Sequence, residues 1–244
     1  MRLLTEQQKC QFGLSRQHLR QINQADRLFL LDARVVEPWQ KLQQAASQQG
    51  FDLQLVSSYR GFDRQLAIWQ AKASGQRDLL DDNGVLLDYS QLSPLQCMQA
   101  IMRWSAVPGL SRHHWGTDID VFDANAMTIQ DVQLTPEEVE GHGACAPLHN
   151  WLDECIANNA SFGFYRPYHR DAGGVAPERW HLSYLPISEQ FMHKPPAASL
   201  LALWQEYDVA FLHELEKDYD AIFNRYVALS LQDQPEWVKT LLRA

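Results

Sequence analysis

The sequence predicts an α+β fold: a small antiparallel sheet flanked by helices, with a helical extension at the C-terminal end. Three observations predict it. Residues 51–56, 117–122 and 180–185 alternate side chains in the manner of short strands. The stretches between them space apolar residues three and four apart, as helices do. Strands and helices are segregated and do not follow the regular βαβ order of a parallel sheet. With 244 residues, 45% of them hydrophobic, the chain can bury a sizeable core. The simplest division is one main domain over residues 1–185, with its motif core at 51–185, and an extension over 186–244 packed on it.

In chain order, Glu37-Pro38 opens a helix, with proline in the first turn where it forfeits no hydrogen bond, and Gly50 closes it. The strand at 51–56 follows, and Arg60 lies just past its end. A helix with Asp63 as its N-cap then runs through Leu66 and Trp69 to Gly75, with Gln65 in its first turn. From Lys72 to Ser93, a segment with acidic residues at 78–82 and Asn83-Gly84 reads as an insertion. Ser93-Pro94 starts a helix carrying Leu95, Met98, Ile101 and Met102, which ends near Pro108-Gly109. In the next strand Ile119 and Val121 share one face, and Asp118, Asp120 and Phe122 share the other. Leu148, Trp151, Leu152, Cys155 and Ile156 mark another helix, before the strand at 180–185. Beyond Pro186 and Pro195-Pro196, Leu200, Leu203, Trp204, Tyr207, Phe211 and Leu215 predict one long amphipathic helix. Its apolar stripe packs on the main domain or, alternatively, serves self-association.

Composition excludes several function classes. The net charge of −9, from 21 basic and 30 acidic residues, offers no clustered positive field for nucleic acid. No apolar run approaches the roughly 20 residues needed to span a bilayer. The start, Met1-Arg2-Leu3-Leu4-Thr5-Glu6, turns polar too soon for a secretory signal, which predicts a cytoplasmic protein. Cys10, Cys97, Cys145 and Cys155 have neither metal-type spacing nor the density of a disulfide framework.

The chemistry is concentrated in three places. Ser111-Arg112-His113-His114-Trp115-Gly116-Thr117-Asp118-Ile119-Asp120 and Glu178-Arg179-Trp180-His181 stand downstream of Ser58-Tyr59-Arg60. His113, Asp120 and His181 offer two imidazoles and a carboxylate, a set that holds Zn²⁺ and leaves a fourth position for water. Gly116 can take the positive φ that folds His113 back toward the strand bearing Asp120. Glu178, three residues before His181, is placed to act as the base.

These motifs resemble those of the zinc D-alanyl-D-alanine carboxypeptidases of the vancomycin-resistance type (the VanY type), within the group that includes lysostaphin-type peptidases and hedgehog domains. The pattern Ser-x-His-x-x-Gly-x-x-x-Asp is met by Ser111, His113, Gly116 and Asp120, and Glu-x-Trp-His by Glu178, Trp180 and His181. Tyr59, Arg60 and Gln65 match the upstream Tyr-Arg element, and Phe164-Tyr165-Arg166 supplies an aromatic-Arg element before the base. The resemblance spans residues 56–184. It implies a zinc peptidase acting on peptidoglycan stem peptides or muropeptides, with one zinc per chain. It further implies that Arg60, Gln65 and Ser111 contact substrate and that Arg60 also serves catalysis. By the same resemblance the protein works in the periplasm or cell wall, against the cytoplasmic reading of its N-terminus. Asp118 reads as a carboxylate that orients a ligand imidazole.

The donor set also fits a non-haem iron oxygenase. That reading is disfavoured by the seven-position separation of His113 and Asp120, and by a base beside the last His. A non-catalytic binding module that keeps the zinc fold is the other rival, and the presence of both Glu178 and Arg60 argues against it. Carboxypeptidase, D,D-dipeptidase and endopeptidase action all remain open to such a site.

Overall fold

The computed structural model describes residues 4–82 and 84–243. Met1 to Leu3, where the signal reading begins, Asn83 of the insertion and Ala244 lie outside the described residues. The expected mixture of helices and small antiparallel sheets is present. Helix α1 (Glu6–Gln11) is followed by a hairpin of β1 (Leu19–Gln24) and β2 (Arg27–Asp32), then α2 (Val36–Gln48), β3 (Leu53–Ser57) and α3 (Phe62–Ala73). Next come α4 (Pro94–Trp104), β4 (Asp118–Asp123), α5 (Pro136–Val139), α6 (Ala146–Ala157), β5 (Phe164–Tyr165) and β6 (His181–Tyr184). The central sheet has the order β3-β4-β6-β5, and every pairing in it is antiparallel.

One face of that sheet is apolar and the other is chemical. Leu53, Leu55, Ile119, Val121 and Leu182 join Trp39 and Leu42 of α2 and Leu148 and Leu152 of α6 in one buried cluster. Strand alternation sends Asp118 and Asp120 the opposite way, as expected from their spacing. Register then matters: Asp120 lies directly across from His181, Asp118 across from Ser183, and Ser57 across from Asp120 on the other side.

Three details differ from expectation. Helix α3 begins two residues earlier, at Phe62, with Gly61 and not Asp63 as its N-cap. Helical bonding already starts from Gly61 O to Gln65 N, and buried Phe62 anchors the first turn through Phe62 N to Gly13 O. The hairpin β1–β2 is unannounced in the sequence, because its turn at Ala25-Asp26 lacks Gly or Asn and places Ala25 at φ +48°.

The long C-terminal helix is instead two. Leu185–Ser188 (α7) and Ala197–Glu206 (α8) are followed by a break and then by α9 (Leu212–Lys217), α10 (Tyr219–Ile222) and α11 (Glu236–Arg243). Asp208 and Phe211 adopt positive φ in the break. Side chains of α3 satisfy the backbone freed there: Trp69 Nε1 donates to Ala210 O, Gln70 Nε2 donates to Asp208 O, and Ala210 N donates to Gln70 Oε1. Leu200, Trp204 and Leu215 stay buried against Phe62, Trp69 and Met98 on both sides of the break. No helix among the described residues is long and apolar enough to cross a membrane.

Gly116 ties the hairpin to the motif. It sits at φ +72°, its carbonyl accepts from Asp32 N at 2.8 Å, and a Cβ there would meet Leu19 Cδ2 at 2.5 Å and Asp32 N at 2.9 Å. Backbone strain and collision add, so Gly116→Ala is expected to lower stability by about 2 kcal/mol or more. Urea unfolding measures this, and an unchanged midpoint would contradict the close packing of the turn on β1 and β2.

Candidate metal centre

His113, Asp120 and His181 converge. Each offers one donor atom, and these atoms lie within 4.8 Å of one another among buried residues. Asp120 Oδ2 is 3.3 Å from His113 Nε2, and Asp120 Oδ1 is 3.1 Å from His181 Nδ1. The remote nitrogen of each imidazole is already engaged. His113 Nδ1 bonds Ser58 O at 2.9 Å, and His181 Nε2 bonds Asp118 Oδ1 at 2.9 Å. With a cation in place, each ring would carry its proton on the far side and turn a lone pair inward.

The residues fit a divalent cation. Asp120 Oδ1 and His181 Nδ1 are buried polar atoms without a hydrogen-bond partner, a costly arrangement unless a cation completes it. Burial alone would push the His181 imidazole down, but Asp118 and Asp120 outweigh burial and hold it up at about 9. The potential that retains a proton on these atoms attracts a metal ion to the same place. Burial would likewise raise Asp120, yet His113 and His181 keep its carboxyl well below the usual carboxylate range.

Local folding explains the aim of each group. His113 lies in the short 3₁₀ turn Arg112–Trp115, which Gly116 ends in a left-handed conformation. The strip after β3 is stitched to that turn: Arg60 N donates to His113 O, and His114 Nδ1 bonds Arg60 O at 2.6 Å. His114 also accepts from Gly109 N, and burial lowers it to about 3, so it is a neutral post between two loops. Asp118 is fully buried and held by Arg112 Nε at 2.8 Å, Thr117 Oγ1 at 2.6 Å and Ser183 Oγ at 3.0 Å. It orients His181, as the sequence suggested. Arg112 was not singled out beforehand. Its guanidinium stacks 4.6 Å from the Trp115 ring and also donates to Tyr165 Oη and Ser183 Oγ.

Glu178 stands beside the triad, with Oε2 3.6 Å from His181 Nδ1. Its backbone N donates to Tyr168 O, and the Tyr168 ring lies 5.0 Å from the His181 ring. Burial pushes the Glu178 carboxyl up to about 7, against the pull of His181. A cavity of about 280 Å³ opens over these groups and is lined also by Arg60, Ser111, Ser105, Leu134 and Trp180. Arg60 and Ser111 thus reach the cavity. Gln65 does not line it. Fully buried behind Arg60, it accepts from Arg60 Nη1 at 2.9 Å and donates to Ala106 O at 2.6 Å. Arg166 of the aromatic-Arg element turns away to Asp153 and His149. Tyr168 and Lys72, which carried no sequence signal, stand near the site as well.

Residues 29–187 match the VanY family of D-alanyl-D-alanine carboxypeptidases. A Haemophilus influenzae protein described only as uncharacterised is 44% identical over 96 residues, covering 39% of this chain and 66% of that protein. A D-alanyl-D-alanine carboxypeptidase of Enterococcus faecalis is 27% identical over 172 residues, covering 69% of this chain and 52% of that protein. The chain thus spans about two thirds of the first relative and about half of the second. Among solved structures, VanYB in complex with D-alanine-D-alanine superposes with a TM-score of 0.50 at 23% identity, covering 73% of this chain and 84% of that one, a likeness of fold.

His113→Ala, Asp120→Ala and His181→Ala are each expected to abolish tight binding of about one divalent transition-metal ion per chain. Asp118→Asn, which keeps the donors but loosens His181, is expected to weaken affinity by about 10- to 100-fold. Titration against a chromophoric chelator reads both effects. Undiminished affinity in His181→Ala would place the ion elsewhere.

Proposed function

The chain belongs to the VanY family of D-alanyl-D-alanine carboxypeptidases, and from that premise we propose that it is a zinc-dependent peptidase that hydrolyses the terminal D-Ala-D-Ala bond of peptidoglycan stem peptides. The observation that carries the proposal is the placement of Glu178. An acid raised to about 7 lies 3.6 Å from the inward nitrogen of His181, in a cavity shared with Arg60. A binding module has no use for a base so tuned. Two imidazoles and a carboxylate suit zinc with an open position, and His113, Asp120 and His181 are the residues that would hold it.

Zinc bound there supplies Lewis acidity, polarising the peptide carbonyl and bringing water toward neutral acidity. The remaining work belongs to the chain. Glu178 takes the proton of the attacking water on its carboxylate and returns it to the leaving amine as the bond breaks, one group serving both steps. Arg60 faces developing or resident negative charge on the substrate with a guanidinium that stays charged. Gln65 and Ser57 hold that guanidinium from behind, so Gln65 acts through Arg60 and does not touch substrate. Ser111, at the cavity wall, offers a hydroxyl to the peptide. Trp180, Leu134 and Val175 supply apolar wall to the cavity.

Glu178→Gln keeps size and hydrogen-bonding reach but cannot accept a proton. It is expected to retain its metal while turnover falls by about 10²-fold or more, read by mass analysis of alanine release from defined muropeptides. Undiminished release would put the base elsewhere. A wild-type protein, fully loaded with zinc, that released nothing from any stem peptide would sink the enzymatic reading.

A further inference from the structure

Lys72 is a half-buried cation near the end of α3. It lies on the inward row of α3, seven residues after Gln65, and its Nζ donates to Ser105 Oγ at 2.8 Å. Among the described residues it makes no ion pair with a carboxylate, so one donor is satisfied and two remain. Ser105, to which it bonds, lines the cavity over the metal centre, while Lys72 itself faces an open hollow of about 420 Å³ with Gln76, Arg77 and Asp78. The strip Trp104 to Ala106 at the cavity wall is held by α3 at two points: Gln65, which carries Arg60, holds Ala106, and Lys72 holds Ser105. Burial, with Arg77 next to it, lowers the ammonium to about 8, and it is close enough to Glu178 and Arg60 to feel both charges. An ammonium here, unpaired with a carboxylate among the described residues, stands where it can meet an anion that reaches Ser105.

We propose that Lys72 is the counter-charge for the free C-terminal carboxylate of the substrate, so that the cleft selects chain ends and Arg60 is left to serve the carbonyl oxygen of the bond being cut. The inference rests on the stem-peptide reading above and deepens it, because it makes the protein a carboxypeptidase and not an endopeptidase. Lys72 is a binding residue in this arrangement, and Ser105 a positioning residue that steers its ammonium.

The test uses zinc-loaded Glu178→Gln protein, which holds peptide without consuming it, and two probes, N-acetyl-D-Ala-D-Ala and its C-terminal amide. Adding Lys72→Met is expected to weaken the free acid about tenfold or more while changing the amide by no more than about twofold. Lys72→Arg in the same background should recover most of the lost affinity. Equal losses for acid and amide would reduce Lys72 to a structural prop for Ser105, and no loss for the acid would place its carboxylate on another group. Either result overturns the proposal while leaving the enzymatic reading standing. If neither probe binds the zinc-loaded protein and wild type cuts no stem peptide, the reading itself fails and the proposal falls with it.

Discussion

Two carboxylates stand two residues apart on one buried face of β4, and the site is organised by how their charge is met. Strand alternation leaves Asp118 and Asp120 no choice but to share that face, and a buried unpaired carboxylate costs several kcal/mol. The two solve the problem differently. Asp118 is neutralised by Arg112, a guanidinium fully sequestered between the Trp115 ring and the sheet. Asp120 has only imidazoles, one from the turn and one from the neighbouring strand. His181 lies between the carboxylates because β6 pairs antiparallel with β4 and sets it opposite Asp120. One ring nitrogen is spent on each carboxylate. The pairing of two strands thus decides at once the protonation site of an imidazole, the direction of its lone pair and the need for a cation at Asp120.

Precision at that point is built by elements that never touch it. The hairpin β1–β2 gives the end of β3 a partner through Tyr59 N to Leu30 O and Leu30 N to Ser58 Oγ. It also receives Gly116 from the motif turn. Ser58 O in turn fixes the tautomer of His113. On the opposite side the base-bearing loop is braced from two directions. Arg103 of α4 binds Asp171 and Gly174 O, and Gln234 near the C-terminal end donates to Arg166 O. Glu178 inherits its position from these contacts, since loops hold catalytic groups well only when a scaffold over-determines their backbone.

What was legible in the sequence is what depends on neighbours in the chain. The strand at Asp118 to Asp123, the Ser93-Pro94 start of α4, and the glycine turn before β4 are all local chemistry. The convergence of His113, Asp120 and His181 was legible because each motif carries its own geometry to the sheet. The hairpin was not, since β1 is mostly exposed and polar and its turn depends on Ala25 at a positive φ that no residue type announces. The break between α8 and α9 was hidden for a related reason. Apolar spacing continues through it, and the hydrogen bonds that make it tolerable come from Trp69 and Gln70, some 140 residues away. Gln65 was misplaced by one layer: its spacing from Arg60 signals that the two belong together, but only packing shows that it stands behind the guanidinium.

The cleft therefore has two walls with separate origins. The sheet supplies the acidic, metal-facing wall, and its residues are coupled so tightly by register that altering one disturbs the rest. The opposite, cationic wall comes from Arg60, just ahead of α3, with Gln65 and Lys72 of α3 behind it; these two hold the strip Trp104 to Ala106, and Arg60 is tied to the motif turn through His113 O. In a chain of net charge −9 this cationic wall is a local feature, so its field acts at the cleft and not over the whole surface. The insertion after α3 reaches the same strip, because Trp104 Nε1 donates to Asp81 O and Arg103 pairs with Asp82. Exposed positions of α3 and the insertion can then vary without passing through β4 and β6, while Phe62, Gln65 and Trp69 stay fixed in the core. A site divided in this way separates the metal-facing groups of the sheet from the cationic groups around α3, so the two can change independently.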